Sequence, residues 1–446
     1  LTPTAYNNGE ALCVKPSDGS GDFDFSRNSA ATRVNAQGLV ENVQILSSNL
    51  VQNGDFSEEG VQEVSNGSFS QEGAELVTNG DFATDSDWTK GTGWSIGNGR
   101  ATYDGLSGTQ QIISSGASVI PQIGKTYKVS FDVLEQGSGA NSTFFGGVLL
   151  SVANLSVGSY VFYAKAVNTN RFSIFGRDGS VFSIDNVSVR EVGQDWNLEN
   201  TWTIGNSVAN GNGAVGSTEE LTQNNTFTLG KTYKVVYEIL NYVSGNIQFQ
   251  FSGGATLSGT TRSSDGTFTE YVVATANHTL LKFKAGSPFN GSITNISVKE
   301  VGQNWILDAN WSIAEDKAVS DGTNGFIRTS TNVFESGKTY KVGITVSNIT
   351  TGQVSYPYDG AATSYISTNG IYETIYTPNT TNVCYVYGRN GFDGSVTNIS
   401  VIEITDDTNL PRINYEGFSY QDALGSEEVV NGDGSSTIGW NVAYPN

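Results

Sequence analysis

The hexapeptide GKTYKV occurs three times, beginning at Gly124, Gly230 and Gly337. A period of about 106 residues makes most of the chain one domain copied three times. Two more landmarks keep the same order. Each copy opens on a tryptophan pair, Trp88 and Trp94, Trp196 and Trp202, Trp305 and Trp311. Each closes on a near-identical segment, IDNVSVREV, ITNISVKEV or VTNISVIEI, with the shared asparagine at Asn186, Asn295 and Asn398.

The strand after each hexapeptide alternates with a period of two. Tyr127, Val129, Phe131 and Val133 share a face, as do Tyr233, Val235, Tyr237 and Ile239, and Tyr340, Val342, Ile344 and Val346. The opposite positions are mostly polar, the pattern of a sheet packed on one side. NRFSIFG, LLKFKAG and VCYVYG read as further short strands closed by Gly/Asn/Asp turns. The expected fold is all-β: tandem β-sandwich modules of jelly-roll type. The joints, Gly-Gln-Asp before Trp196 and Gly-Gln-Asn before Trp305, leave little slack, so a stiff, rod-like array is expected.

The expected boundaries are 76–192, 193–301 and 302–405 for the three sandwiches, with a separate segment at 1–50. Residues 51–75 carry a shorter repeat. NGDF at Asn53, NGSF at Asn66 and NGDF at Asn79 recur every 13 residues. The first two read as incomplete starts of a domain and the third as the opening of the first full copy. Residues 406–446 form a C-terminal segment, and EEVVNGDGSSTIGW within it reads as the start of a further module.

With 446 residues and a net charge of −21, the chain has length for several cores and no basic patch, so nucleic acid is a poor partner. No apolar run reaches the length of a membrane span. Many glycines, few charged residues and abundant Asn, Ser and Thr fit an extracellular or virion β-protein. A chain that begins at Leu1 and contains no Met reads as an internal fragment or processed product.

Two segments stand outside the repeats: DFDFSRNSAATRVNAQGLVE (Asp22 to Glu41) and NLPRINYEGF (Asn409 to Phe418). Arg27, Ser29, Ala31, Thr32, Arg33, Val34, Asn35, Gly38 and Leu39, followed by Pro411, Arg412, Ile413 and Tyr415, resemble a signature of tailed-phage virion proteins of the fibre or tail-associated kind. The resemblance implies that the repeats are inserted in one phage module, with residues 1–50 pairing with 406–425. The repeats themselves resemble jelly-roll carbohydrate-binding modules, through NGDF at Asn79 to Phe82, Trp94, GKTYKVSFDV and IDNVSV.

Sugar rings stack on aromatic faces, which makes the tryptophans the first candidates. Trp94, Trp202 and Trp311 alternate with Ile96, Ile204 and Ile313 and read as core. Trp88, Trp196 and Trp305 lie at the joints, where they wedge modules together or contact glycan. They are the glycan-binding candidates. Tyr127, Tyr233 and Tyr340 read as core residues with hydroxyls at the rim. Arg177 and Arg389 hold equivalent turns, but the second copy has no arginine there. Asp178, Asp185 and Asp393 offer carboxylates for a structural calcium, without the spacing of a known calcium loop. Cys13, Cys384 and the single histidine, His278, read as structural.

Nothing marks a nucleophile elbow, a zinc motif or a phosphate loop, so no enzyme and no cofactor are expected. The expected role is a virion fibre or appendage, exposed on the virion surface and not inserted in a membrane, presenting repeated modules to host-surface or environmental glycans. Its expected partners are those glycans, other virion proteins and copies of itself, as a trimer. A purely structural spacer and a secreted polysaccharide-binding adhesin remain alternatives.

Overall fold

The computed structural model describes residues 46–404 apart from 106–107, 116–118, 138–140, 152–154, 178, 200–201, 214–219 and 361–363. Before residue 46 it describes five strands, Pro3–Asn7, Glu10–Cys13, Phe23–Asp24, Ala31–Val34 and Val40–Val43. Ala31–Val34, from the phage-like motif, pairs antiparallel with Val40–Val43. The second half of that signature, its pairing with 1–50, and the further module expected near the C-terminus fall outside the described residues. All named elements are strands, and among the described residues no helix is long and apolar enough to cross a membrane.

Module 1 is a two-layer sandwich. One sheet runs Trp94–Gly97, Arg100–Tyr103, Phe182–Val192, Thr126–Gln136, Gly158–Lys165. The other runs Val148–Ser151, Asn141–Phe145, Ser173–Gly176, Gln110–Ser114, Trp88–Lys90. The alternating face Tyr127, Val129, Phe131 and Val133 is buried, and Ile112, Phe145, Phe172 and Ile174 belong to the same core. Modules 2 and 3 repeat this plan with longer strands. Thr232–Ser252 and His278–Val301 in module 2, and Thr339–Ser355 and Asn382–Ile404 in module 3, pair along most of their lengths with register shifts midway. Such irregularities bend a strand and let it pass from one layer to the next.

Each repeated tyrosine is buried, and its hydroxyl oxygen accepts a backbone N–H five residues upstream: Gln122 to Tyr127 at 2.8 Å, Thr228 to Tyr233 at 2.9 Å and Glu335 to Tyr340 at 3.0 Å. Trp94, Trp202 and Trp311 are core residues, packed on Tyr103 and Phe182, on Phe289, and on Phe392 respectively. Cys384 is a buried free thiol whose pKa is pushed up by burial.

The 13-residue repeats are not incomplete domain starts. Each is an edge strand and turn laid on a different sandwich, in reverse order. Leu46–Asn49 pairs with Asn382–Ile404 of module 3, Glu59–Gln62 with His278–Val301 of module 2, and Glu72–Glu75 with Phe182–Val192 of module 1. Modules 2 and 3 are therefore discontinuous in sequence, and their opening segments lie upstream of module 1.

The docking geometry follows from the shared asparagines. Asn186, Asn295 and Asn398 have φ of 53°, 51° and 51°, the left-handed region that asparagine tolerates better than most residues. The strand pairing shifts register around each of them, as at a bulge. The N–H of the next residue then meets the carbonyl of an Asn-Gly turn: Val187 to Gly80 at 2.9 Å, Ile296 to Gly67 at 3.0 Å and Ile399 to Gly54 at 2.9 Å. A Cβ on those glycines would lie 2.0, 1.9 and 2.0 Å from the carbonyl oxygens of Val187, Ile296 and Ile399, so no side chain fits. The turn ends on a buried phenylalanine, Phe56, Phe69 or Phe82.

Modules 1 and 2 touch directly. Lys165 Nζ donates to the carbonyls of Leu198 (2.9 Å) and Glu199 (3.3 Å), and Tyr163 packs against the module 2 core. Asn66, in the segment docked on module 2, donates to the Gln194 carbonyl at the joint (3.2 Å).

Two outcomes follow. Phe69→Ala should cost about 3 to 5 kcal/mol of module 2 stability, the usual range for a buried aromatic truncation. Hydrogen exchange at Ile296 and Val298 should accelerate while Val129 and Val189 of module 1 stay protected. His278 is fully buried beside Phe251 (ring centroids 6.0 Å), and burial lowers its pKa from the ordinary value. Its folded pKa lies below its unfolded one, so its stabilising contribution is complete above about pH 6.5 and is lost as the pH falls through that value toward the folded pKa. Thermal melts from pH 8 to pH 5 should show a smaller loss for His278→Gln than for the parent chain.

Candidate functional site

The glycan-binding candidates Trp88, Trp196 and Trp305 are buried, with 7%, 3% and 6% of their surface exposed. Each indole N–H donates to the carbonyl of the docked asparagine: Trp88 to Asn79 at 2.9 Å, Trp196 to Asn66 at 3.1 Å and Trp305 to Asn53 at 3.0 Å. Trp88 lies 4.9 Å from Phe82 and Trp196 5.2 Å from Phe69, measured between ring centroids. These rings hold the docked segments, and a ring covered in this way offers no face for a sugar. The expectation that they contact glycan is corrected on that ground.

The exposed aromatic chemistry lies on the outward face of the second sheet. In Gln110–Ser114 and Ser173–Gly176 the inward residues Ile112 and Ile174 are buried, which turns Gln111, Ile113 and Phe175 outward. Phe144, on the next strand, joins them. The Phe144 and Phe175 rings meet edge to face at 5.4 Å and 77°. Arg177 donates to Ser142 Oγ on the same face (3.3 Å). Gln111, Ile113, Phe144 and Phe175 border a cleft of about 660 Å³ whose other walls include Asn168, Asn170 and Arg171.

Module 3 builds a similar surface from different residues. Ile327, Cys384 and Val386 point inward and are buried, so Phe326, Arg328, Tyr385 and Tyr387 point outward and are half-buried. Phe326 and Tyr385 meet edge to face at 5.4 Å and 72°. The guanidinium of Arg389 sits 4.2 Å from the centre of the Tyr365 ring. Tyr358 packs on Tyr385 at 5.8 Å, and burial raises its pKa well above the ordinary tyrosine value.

The loop behind Tyr358 is pinned by Asp359. Its carboxylate accepts the Tyr376 hydroxyl at 2.5 Å, the Thr380 amide and hydroxyl at 2.9 and 3.0 Å, and the Asn379 amide at 3.0 Å. Burial opposes ionisation of Asp359, but these four donors outweigh it and lower the pKa. Burial and the Asp359 bond together push the Tyr376 hydroxyl up to about 12.

Module 2 differs at the same register. Leu221, Phe249, Leu281 and Phe283 face inward, and the outward positions are Glu220, Gln248, Lys282 and Lys284. Lys282 and Glu220 form an ion pair at 2.9 Å. Gly286 stands where modules 1 and 3 carry Arg177 and Arg389. The missing arginine of the second copy is thus one part of a face that changes as a whole.

The three strands that carry these faces were legible as NRFSIFG, LLKFKAG and VCYVYG. The signal that marks the site is their alternation: one set of positions is apolar in all three, and the other is Ser173 and Phe175, Lys282 and Lys284, or Tyr385 and Tyr387. Of the proposed calcium ligands, Asp178 lies outside the described residues. Asp185 accepts the Asn186 amide at 2.7 Å and Asp393 accepts the Thr350 hydroxyl at 2.5 Å. Burial, with Asp132 and Asp81 nearby, raises the Asp185 pKa. Among the described residues, no three His, Cys, Asp or Glu side chains converge on a metal position.

No family model matches the sequence, and no curated protein matches it. Similar solved structures include the N-terminal CBM22-1-CBM22-2 tandem domain of Paenibacillus barcinonensis Xyn10C, 10% identical, covering 52% of this chain and 99% of that one at a TM-score of 0.23. A chain in the atomic structure of Sulfolobus Turreted Icosahedral Virus is 14% identical, covering 71% of this chain and 90% of that one at 0.17. A chain from an archaeal virus described by its triple jelly roll fold and turret assembly is 14% identical, with coverages of 71% and 89% and a TM-score of 0.17. At these TM-scores none of the three bears on what the chain does.

Proposed function

We propose that this chain is a structural protein of a virion or comparable extracellular surface, and that the outward faces of modules 1 and 3 bind glycans. The observation that carries this reading is the recurrence of an edge-to-face aromatic pair on the outward sheet face of both modules, with Arg177 and Arg389 further along the chain from Phe175 and Tyr385. The C–H faces of a pyranose stack on aromatic rings, and its hydroxyls bond to arginine, asparagine and glutamine side chains. Gln111, Asn168 and Asn170 supply such groups in module 1. Two weak sites on one chain, multiplied by copies on a particle, give useful avidity without a tight single site.

The phage-like signature at Asp22 to Glu41 and Asn409 to Phe418 favours a virion over a secreted adhesin. Module 2, with its Lys282–Glu220 pair, acts as a spacer in this scheme.

A glycan array probed with the full chain clustered on beads, followed by affinity electrophoresis in the polysaccharides it selects, tests the reading. Phe144→Ala with Phe175→Ala should weaken retention about tenfold, equivalent to about 1.4 kcal/mol, as should Tyr385→Ala with Tyr387→Ala. The combined variant should lose retention while keeping its far-UV spectrum. Absence of binding by the clustered parent chain leaves the spacer reading standing.

A further inference from the structure

We infer that the segment docked on module 3 and the two docked on modules 1 and 2 recognise their sandwiches through different, matched residues, so that this part of the docking order is written in side chains as well as in chain connectivity. The three segments share the same turn, the same buried phenylalanine and the same bond from an indole N–H. Those features do not distinguish one segment from another. Of the two strand positions that pair with the module, the first is glutamate in two segments and leucine in the third, and the second differs in all three.

In segment 1 they are Glu72 and Glu75. Glu72 pairs with Lys128 at 2.6 Å, and Glu75 lies 3.4 Å from Arg190. In segment 2 they are Glu59 and Gln62. Glu59 bridges Lys234 at 2.6 Å and Lys299 at 2.8 Å, and Gln62 donates to Ser297 Oγ at 2.7 Å. The two ammonium groups hold the Glu59 carboxyl below its ordinary pKa. In segment 3 the corresponding residues are Leu46 and Asn49, with Ile402 standing where modules 1 and 2 carry Arg190 and Lys299.

The lysine of GKTYKV makes the match more telling. Lys128 and Lys234 take their carboxylates from the docked segments. Lys341 of module 3 instead pairs with Glu373 on its own neighbouring strand at 2.9 Å. By register, Glu373 stands opposite Gly343 as Thr269 stands opposite Val236 and Val161 opposite Ser130. Module 3 thus supplies the acid that its segment lacks, while modules 1 and 2 lack the acid that their segments bring. A segment carrying Glu59 would face Ile402 on module 3, and one carrying Leu46 would leave Lys234 and Lys299 without that carboxylate. Opposite-charge and apolar pairs across strands are favourable, and mismatches are penalised.

The test gives segment 2 the residues of segment 3 in the full chain, by Glu59→Leu with Gln62→Asn, and follows hydrogen exchange at Glu63 and Ile296, whose amides bond across the docked segment. Protection should fall about tenfold. Converting the acceptor as well, by Lys299→Ile with Thr269→Glu, should restore it. Unchanged protection in the first variant would show that connectivity alone sets the pairing. A loss that the converted acceptor does not rescue would show that the ion pairs stabilise without selecting. Either result overturns the inference and leaves the glycan reading untouched.

Discussion

Everything distinctive about this chain depends on one exchange of hydrogen bonds. A left-handed asparagine in the closing strand turns the next N–H toward a glycine carbonyl, and the tryptophan of the same module bonds to the carbonyl one residue earlier in that turn. Both turn carbonyls are thereby satisfied. The glycine permits the close approach, and the phenylalanine at the end of the turn fills the space beside the tryptophan. Because each element needs the others, the set recurs intact in three modules whose outward faces have diverged.

That divergence separates two kinds of position. Inward residues vary only within apolar types, as Ile174, Phe283 and Val386 do, because a close-packed interior accepts a change of shape more readily than a buried polar group. Outward residues on the same strands run from phenylalanine to lysine to tyrosine. Nothing in the fold holds them alike.

The sandwich itself was readable because alternation is a direct consequence of strand geometry. The Tyr127, Tyr233 and Tyr340 faces lie inward as the pattern demands, and their hydroxyls meet backbone groups at the rim. The destinations of the short repeats were not readable. Asn53, Asn66 and Asn79 announce a turn, but their carbonyl partners lie in distant strands, and the bulges that expose those partners have no signature beyond a single asparagine. Trp88, Trp196 and Trp305 misled for a related reason. Proximity to a joint in sequence left a wedge between modules and a glycan contact both open, whereas the segments that cover them come from upstream. The aromatic faces were missed because tyrosine and phenylalanine in a strand are ambiguous until the inward set is known.

Reverse docking imposes a timetable on synthesis. Asn79 precedes its tryptophan partner by 9 residues, Asn66 by 130 and Asn53 by 252. The modules must close in the manner of brackets, the innermost first. At ribosomal speeds of about 5 to 20 residues per second, the outermost segment waits roughly 10 to 50 s for its tryptophan to emerge. Adding a further outer module in the same nested order would take two simultaneous insertions, a short one upstream of the present segments and a long one downstream of module 3, a step that an array of self-contained beads does not need.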